Sequence, residues 1–236
     1  MASENPLLAV LIDADNASYQ DAEHIFKEIA RFGEASVRRI YGDFSSNHMK
    51  GWSKIQAEFG IVPHHQPANT VGKNASDIAL VIDAMDLLHS GRFDGFVLVS
   101  SDSDFTRLAS RIREHGLDVY GIGQQKTPDA FRKACKRFIF VENIREDAPQ
   151  EQPDQKAPKA KALTEARKLV LKSFESIETE DDWVNLGQLG QVIIAANPDF
   201  DTRSYGQKKL SDLIQALKVF EVKRGQSNQT LVKRRD

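Results

Sequence analysis

Cysteine is almost missing from this chain. Cys135 is the only one, which excludes an internal disulfide and a cysteine-built zinc site and makes a reducing, cytoplasmic location the expectation. An excess of either charge is missing too. The 32 Lys and Arg stand against 34 Asp and Glu, a formal net charge of −2, so any nucleic-acid surface must be local. Long hydrophobic runs are also lacking. The amino-terminal run LLAVLI is short, follows Glu4 rather than a basic stretch and stops at Asp13, so it is read as neither a signal peptide nor a membrane span. What is there, 40% hydrophobic and 28% charged residues over 236 positions, suits a soluble protein with one full domain and one smaller one.

From Leu7 to about Ile144, strand-like runs (LLAVLID, SVRRIYG, GIVPHHQ, FDGFVLVSS, LDVYGIG, RFIFVEN) alternate with helical patterns. That alternation predicts an α/β domain, a parallel sheet sandwiched by helices, over residues 1–145. Ser18 is placed to cap the first helix, which carries Ile25, Ile29 and Phe32 on one face; Asn74 or Ser76 is placed to cap a later one bearing Ile78, Val81, Ile82, Met85 and Leu88. After Arg145 the text EDAPQEQPDQKAPKAKA has no apolar period and reads as a flexible linker, 146–162. Residues 163–236 then give three helices and a terminal strand pair, FEVKR and TLVKR, the pattern of a small winged-helix domain.

Two of the strands run straight into acids. The first ends in Asp13-Ala14-Asp15-Asn16 and the fourth in Ser100-Ser101-Asp102-Ser103-Asp104. If the chain crosses over after the third strand, these two strands are neighbours and their carboxyl ends meet where open α/β sheets bind ligands. Asp77, in the first turn of the following helix, falls at the same edge. Carboxylates gathered in one crevice raise one another's pKa and call for a counterion, and an all-oxygen set points to Mg²⁺ or Mn²⁺ rather than zinc. The competing reading, Asp102 or Ser103 as a plain helix cap, explains one acid but not two strands that both end in acids. Asp83 and Asp86, further along the helix, are read as solvated. His64 and His65 are adjacent on a strand and point to opposite faces, so they are read as structural. Lys73 is placed to meet a phosphate and Asn16 to orient a water or a phosphate.

The segments LLAVLIDADN, GKNASDIALVIDAMDLL, FVLVSSDSDFTRLASRIREHGLDVYGIG and FRKACKRFIFVEN together resemble the NYN domain family, the LabA-like branch of PIN-type nucleases. The resemblance implies a PIN-like Rossmannoid fold and metal-dependent hydrolysis of RNA phosphodiesters. It carries the acidic catalytic positions onto Asp13, Asp77, Asp102 and Asp104, with the first three as metal ligands, and the polar companions onto Asn16 and Ser101. The end of the chain, GQLGQVIIAANPDFDTRSYGQKKLSDLIQAL and the wing-like pair, resembles the OST-HTH or LOTUS domain, a unit that binds RNA or a protein partner. There Arg203, Tyr205, Lys208 and Lys209 form a basic, aromatic-containing approach to a helix, read as suited to RNA ahead of the rival reading in which Tyr205 packs into the core.

The function expected is a cytoplasmic, Mg²⁺- or Mn²⁺-dependent ribonuclease with a carboxyl-terminal RNA-binding module and no membrane contact. The sequence leaves open a protein partner for that module, and a homodimer. Two rivals stand beside it. One is a non-catalytic regulator that binds RNA or protein. The other is a haloacid-dehalogenase-type phosphatase using the Asp13-x-Asp15 pair, which lacks the hydroxyl usual two positions later because Ala17 stands there.

Overall fold

The computed structural model describes residues 5–46, 49–65, 75–145, 156–179, 182–225 and 228–235. The chain divides into two units, 1–148 and 149–236.

In the first unit, β1 (Leu7–Asp13), β2 (Glu34–Gly42), β3 (Val62–His65), β4 (Gly95–Val99), β5 (Asp118–Gly123) and β6 (Arg137–Phe140) form one sheet in the order β3-β2-β1-β4-β5-β6. Every pairing is parallel. The crossover after β3 therefore sets β1 beside β4, as the acidic endings require. The central strands are nearly continuous apolar runs because both faces are covered. Period-two alternation divides β1 between two cores. Leu8, Val10 and Ile12 face Ile25 and Ile29 of α1 (Ala22–Ile29) and Trp52 of α2 (Lys50–Phe59). Ala9 and Leu11 face Leu80 and Ala84 of α3 (Ala75–His89), Leu108 and Ile112 of α4 (Thr106–Glu114), and Phe131 of α5 (Asp129–Ala134).

Ser18 caps a 3-10 turn, Tyr19–Asp21, that leads into α1. Gly60 closes α2 at φ 61°, the left-handed conformation that favours glycine. The helix α3 begins at Ala75, so Ser76 lies inside it, while Lys73 and Asn74 lie outside the described residues.

In the second unit, α6 (Lys156–Glu175), α7 (Leu186–Ala196) and α8 (Leu210–Leu217) enclose a core of Ala166, Val170, Leu189, Ile193, Leu213 and Ile214. A three-stranded antiparallel sheet closes it, with β7 (Val184–Asn185), β9 (Thr230–Arg234) and β8 (Phe220–Arg224) in the order β7-β9-β8. This is the expected winged-helix plan. Its first helix starts at Lys156, inside the stretch read as linker; Pro158 falls in the first turn, where a missing N–H breaks no helical bond. Among the described residues no helix is long and apolar enough to cross a membrane.

Candidate active site

Ile12 of β1 lies in register with Val99 of β4, so Asp13 and Ser100 leave the sheet side by side. Asp13 is only 1% exposed. Its Oδ2 accepts from Ser100 Oγ at 2.6 Å and from Asn16 Nδ2 at 2.8 Å, and its Oδ1 accepts from the Asp15 amide at 3.1 Å. The same Ser100 hydroxyl accepts the Asp102 amide at 3.0 Å. One buried side chain thus ties the acid of β1 to the acid loop of β4. Asp102 Oδ1 accepts the Asp104 amide at 2.9 Å and caps the 3-10 turn Ser103–Phe105. The cap and the acidic cluster are both present, on the same residue.

Burial pushes the Asp13 carboxyl up from its ordinary range, while the hydrogen bonds from Ser100 and Asn16 pull it back and the charge of Asp15 adds to the rise. Asp77, half-buried in the first turn of α3, is pushed up to about 6, first by burial and then by the charges of Asp13, Asp102, Asp15 and Asp104. Ser76 Oγ donates to Asp15 Oδ2 at 3.4 Å. Among the described residues, no three His, Cys, Asp or Glu side chains close on one point as a preformed metal cage. What β1, β4 and α3 gather is negative charge with carboxylate oxygens as donors. That set fits a hard divalent cation.

Other positions depart from the expectations. Ser101, expected beside the substrate, is buried and turns its hydroxyl to the Gln124 amide at 2.9 Å. Asp83 is not solvated. Its carboxylate is held by Arg39 and by the Tyr41 hydroxyl, both from β2, with His64 Nδ1 at 3.7 Å. The half-buried network keeps the Tyr41 hydroxyl protonated, chiefly through burial and then through its bond to the Asp83 carboxylate. Burial lowers the pKa of His64, against the pull of Asp83. His65 accepts the Phe44 amide at 3.1 Å. Asp86 is exposed, and so are Asp15 and Asp104, whose charges both reach Asp77. Ser100 was missed by sequence reasoning. Strand parity is the signal that finds it, since Ser100 follows Leu98 at spacing two on the face shared by Leu11 and Asp13.

A family model described as the NYN domain matches residues 7–142. The chain belongs to the NYN domain family. A second model, the OST-HTH/LOTUS domain, matches residues 158–232. A crystal structure of a protein of unknown function from Vibrio parahaemolyticus RIMD 2210633 is similar over 58% of this chain and 94% of its own, at 20% identity and a TM-score of 0.49. No curated protein matches the chain.

In the OST-HTH unit the expected RNA-contact residues divide in two. Arg203 is folded onto Asp201, its Nε 3.0 Å from Oδ1 and its Nη2 2.6 Å from Oδ2. Tyr205 is half-buried, its ring 5.8 Å from that of Phe200, and burial raises its hydroxyl pKa. Both have work inside the fold. Lys208 and Lys209 are exposed, Lys209 as the residue preceding α8. In the wing, Lys233 bonds Asp182 at 2.6 Å and Arg234 bonds Glu175 at 2.7 Å, while Lys223 Nζ sits 3.8 Å from the centre of the Trp183 ring.

Proposed function

We propose that the NYN unit is a divalent-cation-dependent ribonuclease and that the OST-HTH unit binds RNA for it. The observation that carries this reading is the Ser100 hydroxyl. Bonded to Asp13 at 2.6 Å and to the Asp102 amide at 3.0 Å, it holds the acidic ends of two separate strands together, and capping a helix needs only one of them. The pairing of an NYN domain with an OST-HTH domain supports a ribonuclease-type or RNA-binding role.

Asp13, Asp77 and Asp102 would hold Mg²⁺ or Mn²⁺, with Asp104 beside them. When bound, such a cation supplies an activated water and positive charge against the phosphodiester. The chain's own contribution is orientation. Ser100, Asn16 and the Asp15 amide hold both oxygens of Asp13 in one pose and favour its anionic form against the burial that opposes it. Asp77, pushed up to about 6 by burial and by the charges of the other acids, takes up a proton as the pH falls through that range. Asn16, half-buried next to the exposed Asp15, borders the crevice. Exposed Lys208 and Lys209 meet RNA phosphates, and their attachment to the same chain raises the RNA concentration at the acids.

The test is cleavage of a labelled single-stranded RNA in Mn²⁺, Mg²⁺ or chelator by the wild type, Asp13→Asn and Asp102→Asn. Metal-dependent cutting, lost in both variants while circular dichroism is unchanged, is the expected result. RNA bound but left intact in every metal would make the crevice a binding surface and the protein a non-catalytic regulator.

A further inference from the structure

The turn that follows β5 stands at the rim of the acidic crevice, and it is fastened more tightly than a surface loop needs. Gln124 O accepts both the amide and the hydroxyl of Thr127, at 3.0 and 2.6 Å, which closes a four-residue turn from Gln124 to Thr127. The Gln124 amide donates to Ser101 Oγ at 2.9 Å, and the Gln125 amide to the two carboxylate oxygens of Glu142 at 3.1 and 3.2 Å. At the exit of β5, a Cβ on Gly123 would lie 2.4 Å from Ser100 O and 3.0 Å from Thr127 Oγ1, so the turn lies flat against the end of β4. Ser101 and Thr127 at its base are buried, while Gln125 and Lys126 at its tip are exposed.

The turn therefore displays one cation from a base bonded to the residue next to Asp102. Neighbouring strands are about 4.8 Å apart, so that base lies about one strand spacing from the acidic end of β4. Among the described residues Lys126 forms no salt bridge, and Glu142, the acid that holds the turn, is engaged by the Gln125 amide. A lysine presented by a fixed turn also loses less freedom on binding than one on a loose loop.

We propose that Lys126 is a substrate-binding residue that receives an RNA backbone phosphate next to the one delivered to Asp13, Asp77 and Asp102. The inference rests on the ribonuclease reading and adds a direction to it: the RNA strand crosses the crevice on the β4–β5 side. Ser101, through its bond to Gln124, is the residue that places the turn.

The experiment uses the full chain and has two arms. In the first, cleavage of a labelled single-stranded RNA in Mn²⁺ is followed between about 50 and 200 mM salt for wild type, Lys126→Gln, Lys126→Arg and, as a remote control, Arg92→Gln. Lys126→Gln is expected to raise KM roughly fivefold with kcat unchanged, to flatten the dependence of log KM on log salt by about 0.7, and to be rescued by arginine. Arg92→Gln is expected to match wild type. In the second arm, binding of the same RNA is measured in chelator by anisotropy, where no cleavage is needed. If wild type cuts no RNA, the ribonuclease reading falls, and a binding loss specific to Lys126→Gln still places RNA on this turn. If Lys126→Gln matches wild type in KM, salt dependence and chelated binding, the proposal is overturned whatever the activity.

Discussion

Replacing Ser100 by alanine removes a single oxygen from the point where β1 and β4 meet. Two interactions go with it: a donor to the buried Asp13 carboxylate and an acceptor for the Asp102 amide. A hydrogen bond to a charged group contributes about 1.5–3 kcal/mol and a neutral one about 0.5–1.5. Asp13 keeps Asn16 and the Asp15 amide as donors, so the carboxylate is weakened rather than orphaned, and the lower ends of those ranges apply. The expected loss is about 2 kcal/mol of unfolding free energy at neutral pH. Its pH dependence has a definite sign. The Ser100 bond lowers the Asp13 pKa, so the variant's native state binds a proton more tightly than the wild type's. Its stability therefore gains more as the pH falls, and the gap narrows in acid. Urea unfolding of the first unit can be followed through buried Trp52 in a Trp183→Phe background, at about pH 7.5 and at about pH 5, toward the range in which the raised Asp13 carboxyl titrates. Cleavage should fall with stability still ample, because Asp13 and Asp102 lose their common brace. An unchanged midpoint with unchanged cleavage would refute the brace, and a deficit that widens in acid would refute its electrostatic basis.

The remaining expectations concern neighbouring groups. Asp77→Asn in chelator should melt higher than wild type above pH 6 and lose that advantage toward pH 4 (about the ordinary carboxylate value). The raised folded-state pKa means that the wild type gains stability as the pH falls through this window, whereas asparagine does not titrate. Added Mn²⁺ should reverse the order, raising the wild-type melting temperature and leaving that of Asp77→Asn nearly unmoved. Asp83→Ala should cost about 2–3 kcal/mol in denaturant unfolding, because it strands the Arg39 guanidinium and the Tyr41 hydroxyl. In the OST-HTH unit, Arg203→Gln should lower the melting temperature with little change in RNA affinity, while Lys208→Gln with Lys209→Gln should weaken RNA binding and its salt dependence at constant stability.

The architecture was legible because its signals are local and repeated. LLAVLID and GFVLV are buried on both faces, as the strands of a covered parallel sheet are, whereas the crossover after β3 stood only as a condition in the sequence and is met in the strand order β3-β2-β1-β4-β5-β6. The position of the acids was readable for the same reason: a carboxylate that ends a buried strand has nowhere to go but the crevice. Ser100 was not singled out, since a serine beside Ser101 and Asp102 carries no mark of which way it points, although strand parity holds the answer. Asp83 was misjudged because a helix periodicity speaks for the apolar face alone, and its partners Arg39 and Tyr41 are over 40 residues away in sequence. Arg203 reads as an RNA contact because it stands close to Lys208 and Lys209 in the sequence. The aspartate two positions ahead, Asp201, which caps the 3-10 turn Thr202–Tyr205, was the local cue to its pairing.

The clamp on Asp83 divides α3 into two mechanical parts. From Leu80 onward the helix is fixed, by Leu80, Ala84, Leu87 and Leu88 in the core and by Asp83 on β2. Its first turn, with Ser76 and Asp77 half-buried and Ile78 exposed, projects beyond that anchorage over the acids. The arrangement is a cantilever. Amide hydrogen exchange should be slow from Leu80 onward and faster across 75–79, where Ser76 bonds Asp15 and only Ala79 reaches the core. The acid whose carboxyl is pushed up to about 6 thus sits one turn outside the part of its helix that the core holds, so a change there need not repack the sheet beneath it.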